Sequence, residues 1–264
     1  MDLETLVVER SGGVVTMTLN RPEKKNAVNR QMWRELVDVF DEVADTPDDR
    51  VLVITGAGDG FCSGADLTDS GNADELQGGV GTSVRQMRVV GRAALRLHEL
   101  PKPTIAAVNG VAAGAGCNLA LGCDLIIASD RARFTEIFSK RGLSVDFGGS
   151  WVLPRLVGLH KAKELVFLGE IIDAEDAERI GVVNRVVAHD DLDKSVAEVA
   201  ARLAALPPIQ LSVSKRLLNQ SFSVSMADAL EFEDIAQAMN FSSKDTAEAM
   251  LAFVQKRDPR FTGE

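Results

Sequence analysis

Two glycine-rich stretches stand out in the sequence: Gly60-Phe61-Cys62-Ser63-Gly64-Ala65-Asp66-Leu67 and Asn109-Gly110-Val111-Ala112-Ala113-Gly114-Ala115-Gly116-Cys117-Asn118. Each follows a short apolar run that is typical of a buried strand, Val51 to Thr55 and Thr104 to Val108. Because glycine and alanine leave the backbone open to close approach, two such turns could aim two backbone N–H groups at one point. Preorganised donors of this kind stabilise an oxygen that gains negative charge during a reaction.

Strand and helix patterns alternate along most of the chain. Further strands are predicted at Val14 to Leu19, Leu125 to Ala128 and Val182 to Val187. Helical patterns lie between the strands, at residues 32–43, where Met32, Leu36, Phe40 and Val43 share one face, and at Val84 to Leu97, Ala115 to Gly122 and Lys161 to Leu168. This order predicts an α/β domain with mostly parallel strands and crossover helices.

A separate helical region is predicted after Pro207-Pro208, which ends a helix that runs from about Leu192 to Leu206. The region has helical patterns at Gln210 to Asn219, Met226 to Met239 and Lys244 to Gln255. The helices have apolar faces that need a partner surface, which is either the core of the same chain or a neighbouring subunit. The residues on these faces are Leu230, Ile235, Met239, Ala247, Met250, Leu251 and Val254. We therefore divide the chain into a core at residues 1–206 and a C-terminal helical region at residues 207–264.

The composition is that of an ordinary globular protein of 264 residues, with 45% hydrophobic and 26% charged residues. A net charge of −10 argues against general binding to nucleic acid or anionic membranes, so a phosphate-bearing ligand needs a local basic patch. Residues 1–15 show no signal-peptide pattern, and no apolar run is long enough to span a bilayer. From these features we expect a cytoplasmic protein.

The sequence lacks the common signatures of metal and nucleotide sites. Cys62, Cys117 and Cys123 have neither disulfide nor metal-ligand spacing and are expected to be buried thiols, and the histidines are scattered. The glycines from Gly56 to Gly60 do not have dinucleotide-binding spacing, and no P-loop is present. We therefore expect no metal site.

The two glycine-rich stretches belong to a longer set of motifs, which includes Arg21-Pro22, Asn26-Ala27 and Leu153-Pro154-Arg155-Leu156-Val157-Gly158. In order and spacing, from about residue 5 to about residue 257, this set resembles the enoyl-CoA hydratase/isomerase (crotonase) family. The resemblance implies a spiral of β-β-α turns and a helical oligomerisation tail that builds trimers, which pair into hexamers. It also implies an acyl-CoA thioester substrate, with coenzyme A as part of the substrate and no separate cofactor.

The resemblance assigns an oxyanion hole to the backbone N–H groups of Ala65 and Ala115, the latter following Gly114. Ala115 stands where the family often has glycine, and it retains the N–H group. Its position at the start of a predicted helix also favours an anion. Asp66 has two open interpretations, since its carboxylate could enter the site or cap the turn or the following helix.

The acid/base residues depart from the hydratase pattern. Hydratases of the family use two glutamates, and the matching positions here are Asn118 and Phe138, neither of which exchanges a proton near neutral pH. Glu136 is expected to be a solvated glutamate, although a local shift could bring it into the site. Asp146 is the candidate that the isomerases of the family share, and one carboxylate suffices for a 1,3-proton shift. Turn formation before Phe147-Gly148-Gly149 is the alternative role for Asp146.

Burial of Asp146 among Phe138, Phe147 and Trp151 would raise its pKa toward a useful value. Within the family, the segment from Gly142 to Arg155 most resembles the 1,2-epoxyphenylacetyl-CoA isomerase branch of phenylacetate degradation, which also carries the asparagine and the aspartate. Members of that branch open an aromatic epoxide and shift double bonds in enoyl-CoA thioesters. Ser144 and Val145 depart from that branch, which leaves the substrate open.

The same resemblance suggests the residues that bind substrate. Lys24 and Lys25, beside Ala27, and the C-terminal Lys256 of a neighbouring subunit would meet the phosphates, and Phe253 would flank the nucleotide. A mobile loop at Gly71 to Gly81 would cover an acyl pocket that draws on Leu67, Met87, Val90, Phe138 and Trp151.

Three hypotheses follow for the function. The first is an acyl-CoA isomerase that uses Asp146 and the Ala65/Ala115 oxyanion hole, and it is favoured over hydration. The second is a hydratase with a different carboxylate arrangement. The third is a non-catalytic acyl-CoA-binding oligomer, which the loss of both hydratase glutamates makes possible.

Overall fold

The computed structural model describes residues 2–68 and 79–264 of the chain. In these ranges the strands are β1 (Leu6–Ser11), β2 (Val14–Leu19), β3 (Val51–Gly56), β4 (Gly60–Cys62), β5 (Thr104–Val108), β6 (Val111–Ala113), β7 (Leu125–Ser129), β8 (Arg133–Thr135), β9 (Ile172–Asp173) and β10 (Arg185–Val187). The α-helices are α1 (Arg30–Asp45), α2 (Gly79–Glu99), α3 (Ala115–Leu121), α4 (Gly149–Leu168), α5 (Ala174–Arg179), α6 (Leu192–Ala204), α7 (Pro208–Gln220), α8 (Met226–Phe241) and α9 (Lys244–Gln255).

The strands form two sheets. The larger has the order β1-β2-β3-β5-β7-β10, and the smaller has the order β4-β6-β8-β9. All neighbours pair in parallel except the terminal pairs β1–β2 and β8–β9, which are antiparallel. Successive pairs of strands, one long and one short, are followed by a helix, and this β-β-α repeat is the spiral that the family resemblance predicts.

The inner strands of the larger sheet, β3, β5 and β7, are buried on both faces, as parallel sheets require. One face and the helices α1 to α5 share the main hydrophobic core. The other face carries Val51, Val53, Ile105, Ala107 and Ile127, which pack against Leu192, Val196 and Ala200 of α6. Because apolar residues point to both faces, these strands read as continuous apolar runs, which is why the sequence predicts them well.

The predicted strands and helices of the core are confirmed, but β1 and α5 were not predicted and further elements differ in extent. The pattern at Val182 to Val187 is a strand only over Arg185–Val187, since Val182 and Val183 donate backbone hydrogen bonds to Ala177 at the end of α5. The helix predicted at Lys161 to Leu168 is the second part of α4, which is broken at the non-helical Gly158 (φ +76°), and the first part, from Gly149, was not predicted. The short strands of the smaller sheet were not predicted, since segments of two or three residues show no alternation.

The helices α7, α8 and α9 form the C-terminal region, and the structure leaves most of their apolar side chains uncovered. Ala236 and Ala252 are the apolar residues of these three helices that are buried. Large apolar side chains are exposed at Phe222, Met226, Leu230, Phe232, Ile235, Met239, Phe241, Met250, Leu251, Phe253 and Val254. Of the two partner surfaces considered from the sequence, the core of the same chain therefore does not cover these faces.

Within the described ranges no single helix is long and apolar enough to cross a membrane, and one bent pair, His189–Ala204 with Pro208–Gln220 at 105°, passes a test of length and composition.

Candidate active site

The two glycine-rich turns pack backbone against backbone. They follow β4 and β6, which pair in parallel. A Cβ atom at Gly64, which has a φ of +95°, would lie 2.8 Å from the carbonyl oxygen of Ala113 and 3.7 Å from the nitrogen of Ala115. A Cβ at Gly116 would lie 2.3 Å from the carbonyl oxygen of Cys62. Glycine is therefore required at both positions for the turns to approach each other.

The N–H groups of Ala65 and Ala115 lie on these adjoining turns. Ala65 forms an isolated parallel bridge with Val28, whose hydrogen bonds use the carbonyl of Gly64 and the N–H of Asp66, so the N–H of Ala65 is outside the bridge. Ala115 is the first residue of α3, where backbone N–H groups have no partner within the helix. Neither N–H group is therefore used by the bridge or by the helix that contains it.

Asp66 holds the first turn in place. Its carboxylate forms an ion pair with Arg21 at 2.9 Å and accepts hydrogen bonds from the backbone N–H and the hydroxyl of Thr68. Burial opposes ionisation, but the Thr68 hydrogen bonds and the Arg21 charge outweigh it and lower the pKa of Asp66. These contacts agree with the capping role that was considered from the sequence.

Asn118 connects α3 to the loop that carries Asp146. Its side chain is buried, and its Nδ2 donates to the backbone carbonyl of Asp146 at 3.0 Å and to Oε2 of Glu136 at 3.4 Å. The backbone of Gly149 packs so closely on the carboxamide that a Cβ there would lie 2.2 Å from Oδ1 of Asn118. Asn118 therefore positions the Asp146 loop by contacts on two sides.

The carboxyl group of Asp146 is largely buried, and its Oδ1 has no hydrogen-bond partner. Burial raises its pKa to about 6, as the sequence interpretation expects. The adjacent Phe147 is buried and stacks on Trp33 with ring centroids 5.5 Å apart, which anchors the loop. A carboxylate with a raised pKa and a free oxygen atom has the properties of a general base.

Glu136 lies in the interior of the molecule, so the expectation that it is solvated was wrong. It is 3% exposed and touches Asn118 as described above. Burial raises the pKa of Glu136 to about 7 against hydrogen bonds from Cys117 and Asn118, and the charge of Asp146 adds to the increase. The short strand β8 brings it there, because β8 pairs with β6 and places the residue after Thr135 beside α3.

The sequence names Glu136 but favours a solvated side chain, because the residue lies two positions before Phe138, which is the position of a hydratase glutamate. The available signal was local: Glu136 lies between the apolar pair Ile137-Phe138 and the strand-like segment Arg133 to Thr135.

The predicted substrate-binding residues are distributed around these turns and on the tail. Lys24 and Lys25 are exposed. They lie beside the first turn, because the hydroxyl of Ser63 donates to the carbonyl of Lys24 and the N–H of Ser63 donates to the carbonyl of Lys25. Lys256 follows α9, and Phe253 on that helix is 84% exposed. Ala27 is buried, and its carbonyl accepts a hydrogen bond from Arg21.

The predicted acyl-pocket residues differ in exposure. Phe138 is buried with its ring next to Gly114, and Val90 belongs to the hydrophobic core. Leu67 and Met87 are exposed, and Trp151 is partly exposed. The ring centroids of Trp151 and His98 are 4.9 Å apart, and Cζ of Arg155 lies 3.8 Å from the centroid of the Trp151 ring. Of the predicted loop at Gly71 to Gly81, residues 71–78 lie outside the described residues, and Gly79 to Gly81 form the first turn of α2.

Cys62, Cys117 and Cys123 are buried free thiols, as predicted. In residues 2–68 and 79–264, no three His, Cys, Asp or Glu side chains are grouped so that they could hold a metal ion.

The chain is similar to known proteins over almost its whole length. The family model described as enoyl-CoA hydratase/isomerase matches residues 9–264. The chain is 39% identical to the 1,2-epoxyphenylacetyl-CoA isomerase of Escherichia coli K12, over 99% of this chain and 100% of the relative. It is 36% identical to the short-chain-enoyl-CoA hydratase of Clostridium acetobutylicum, over 97% of each chain.

Solved structures match over nearly the whole chain. The crystal structure of the enoyl-CoA hydratase from Bacillus anthracis superposes with a TM-score of 0.93 at 31% identity, covering 99% of this chain and 100% of the other. That of the enoyl-CoA hydratase/isomerase from Cupriavidus metallidurans CH34 gives a TM-score of 0.92 at 34% identity, covering 100% and 98%.

Proposed function

Because the chain belongs to the enoyl-CoA hydratase/isomerase family, we propose that it is an acyl-CoA isomerase in which Asp146 is the acid/base residue. The observation that carries this proposal is the carboxyl group of Asp146, which is largely buried, has an unpartnered Oδ1 and is held by Asn118 beside the two adjoining turns. At the two positions of the hydratase glutamates, Asn118 and Phe138 offer no proton-exchanging group.

The reaction proposed is a 1,3-proton shift in an enoyl-CoA thioester. Asp146 removes a proton from C2 of a 3-enoyl-CoA, and the electrons of that C–H bond move toward the thioester oxygen to give an enolate. The N–H groups of Ala65 and Ala115 donate to this oxygen and stabilise its charge. Asp146 then returns the proton to C4, so the product is a 2-enoyl-CoA of unchanged mass.

A ring-epoxide acyl-CoA is the second substrate class within this proposal, with a role in phenylacetate degradation. It is supported by the name of the Escherichia coli relative and by the Asn118 and Asp146 pattern. Ser144 and Val145, which depart from that branch, lie in the same loop as Asp146 and are the positions where substrate choice is expected to differ.

Hydration of a 2-enoyl-CoA is the alternative reaction. It is supported by the name of the Clostridium acetobutylicum relative and by the second carboxyl group, Glu136, near Asp146. Since Asn118 donates to both Glu136 and the carbonyl of Asp146, it stands between the two residues. This arrangement favours isomerisation, because Glu136 is turned toward α3.

The proposal includes binding and assembly. Lys24 and Lys25 would meet the phosphates of coenzyme A, and Lys256 and Phe253 of a neighbouring subunit would complete the nucleotide site. The exposed apolar faces of α8 and α9 support trimers or hexamers. A cytoplasmic location is part of the same proposal, as is the role of residues 207–264 as the oligomerisation region.

The test is to incubate the protein with a 3-enoyl-CoA and, separately, with a 2-enoyl-CoA, and to analyse products by chromatography and mass spectrometry. A shifted double bond at unchanged mass supports isomerisation, and an added water supports hydration. If neither thioester reacts but both bind, the third hypothesis, a non-catalytic acyl-CoA-binding oligomer, takes the place of the enzyme.

Asp146→Asn should lower kcat for isomerisation by about 10³-fold, because the amide cannot take up the substrate proton. Asp193→Asn, the same change at an exposed residue of α6, serves as the control and should keep the wild-type rate. Retained activity in Asp146→Asn would exclude Asp146 as the acid/base residue.

A further inference from the structure

Glu136 is a buried acid for which the proposed reaction has no use. It follows β8, far from solvent, and its Oε2 accepts a hydrogen bond from Nδ2 of Asn118 at 3.4 Å. The thiol of Cys117, also on α3, donates a second hydrogen bond to the same carboxyl group. Both partners of Glu136 therefore come from the helix that supplies the N–H group of Ala115.

The hydrogen bonds around Glu136 leave several buried acceptor atoms without a donor. Oε1 of Glu136, Oδ1 of Asn118 and Oδ1 of Asp146 are buried atoms without a hydrogen-bond partner. All three are oxygens that only accept when both acids are ionised, and a buried acceptor without a donor is costly. A proton on Glu136 turns one of these acceptors into a donor and removes one negative charge from the cluster.

We propose that Glu136 is a positioning residue of this site, which keeps a proton while Asp146 is ionised and in that form fixes the Asn118 carboxamide against the Asp146 loop. This inference rests on the proposed function, since it assigns Glu136 a part in the acid/base work of Asp146. The hydrogen-bonded connection from Glu136 to the Asp146 loop runs through Asn118, whose Nδ2 bonds to both Glu136 and the backbone of Asp146.

The ionisable groups that face Glu136 agree with a neutral carboxyl at its position. Burial raises the pKa of the Cys117 thiol well above its usual value, so Cys117 contributes no charge. Burial is the main cause of the raised pKa of Glu136. Among the described residues, Asp146 is the carboxyl group whose charge raises this pKa further. Since the pKa of Asp146 is about 6 and that of Glu136 about 7, Asp146 loses its proton first as the pH rises.

A bell-shaped pH profile follows for the wild-type enzyme. The rate rises as Asp146 ionises near pH 6 and falls when Glu136 ionises near pH 7. Above that value each pH unit lowers the protonated fraction of Glu136 about tenfold. Because the two carboxyl groups interact, both limbs of the profile report on the pair.

The experiment compares pH profiles of kcat for isomerisation in the wild type, Glu136→Gln and Glu198→Gln. Glutamine can accept from Asn118 and donate in turn, but it carries no charge, so it mimics protonated Glu136. We expect Glu136→Gln to lie within about threefold of the wild type at pH 6 and to lose the alkaline decline. Glu198→Gln, at an exposed residue of α6, should keep the wild-type profile. An unchanged alkaline limb in Glu136→Gln overturns the proposal.

A second measurement does not depend on the substrate. Carboxyl ¹³C NMR of glutamate-labelled wild-type protein should show one resonance that titrates near pH 7 and is missing in Glu136→Gln. If that resonance is present but no enoyl-CoA is isomerised, the proposed function fails while the protonated Glu136 stands. If every glutamate titrates at its ordinary value, the inference fails whatever the enzyme does.

Discussion

Gly149 shows how closely a single residue constrains the site. The glycine is buried at the start of α4, and its backbone lies against the Asn118 carboxamide. The carboxamide cannot move aside cheaply, because its Nδ2 is held by the carbonyl of Asp146 and by Glu136. Asn118 and Gly149 therefore have to fit each other for Asp146 to be placed.

Gly149→Ala should displace the Asn118 side chain, since the new Cβ would meet its Oδ1 at 2.2 Å and its Nδ2 at 2.4 Å. We expect kcat for isomerisation to fall by about 100-fold, the typical cost of a misplacement of about 1 Å, and stability to fall by about 2 kcal/mol. Steady-state kinetics and thermal unfolding measure the two effects.

Gly91→Ala is the matched control for this substitution. Gly91 is exposed on α2 and has no heavy atom within 4 Å of a built Cβ. The change should keep the activity and stabilise the helix by about 0.5–1 kcal/mol. Equal kinetics for Gly149→Ala and Gly91→Ala would contradict the positioning role of Asn118.

At the scale of elements, the loop before α1 holds the first glycine-rich turn. Asn26 is fully buried in this loop and bridges three segments of the chain. Its Oδ1 accepts from the N–H of Arg21, and its Nδ2 donates to the carbonyls of Ala57 and Gly60. The backbone bonds of Val28 to Gly64 and Asp66 continue this attachment and fix the segment that contains Ala65.

Asn26→Ala should destabilise the protein by about 3 kcal/mol, because it leaves buried backbone groups unpaired and removes a residue type that tolerates the observed φ of +56°. Chemical denaturation measures the change. Asn20→Ala is the control at an exposed asparagine and should stay within about 0.5 kcal/mol of the wild type. A similar small effect for Asn26→Ala would show that the bridge is dispensable.

The elements also show where prediction from sequence succeeds. The strands β2, β3, β5 and β7 and the helices α1, α2, α3 and α6 were predicted from their apolar patterns. The largely exposed edge strand β1 and the short helix α5 were not predicted. The strands β4, β6, β8 and β9 have two or three residues each, and they are held by partners distant in the chain. Their pairing places Glu136 beside Asn118, and no local pattern reports it.

At the scale of the whole molecule, the C-terminal helices leave a group of large apolar side chains uncovered. Phe241, Phe253 and Val254 are 71%, 84% and 77% exposed, which is unusual for large apolar side chains clustered on one region of a single chain. The covering surface expected from the family resemblance is another copy of the chain.

Size-exclusion chromatography with light scattering should give the molar mass of a trimer or a hexamer. Ile235→Lys, on the exposed face of α8, should shift the protein to smaller species because the charge would be buried in the interface. Gln237→Lys places the same charge at an exposed polar position of the same helix and should keep the assembly. A monomeric wild-type protein would contradict the assembly proposal.

Sequence alone was enough for the α/β order and the family, because each depends on local patterns or on motifs that keep their spacing; Asp146 as the acid/base residue stays a prediction. Three-dimensional packing was needed for Glu136, whose partner Asn118 is 18 residues away. It was also needed for the capping role of Asp66 and for the uncovered faces of the tail. The physical reason is the same in each case: the charge state or exposure of these groups depends on neighbours that folding supplies from other parts of the chain.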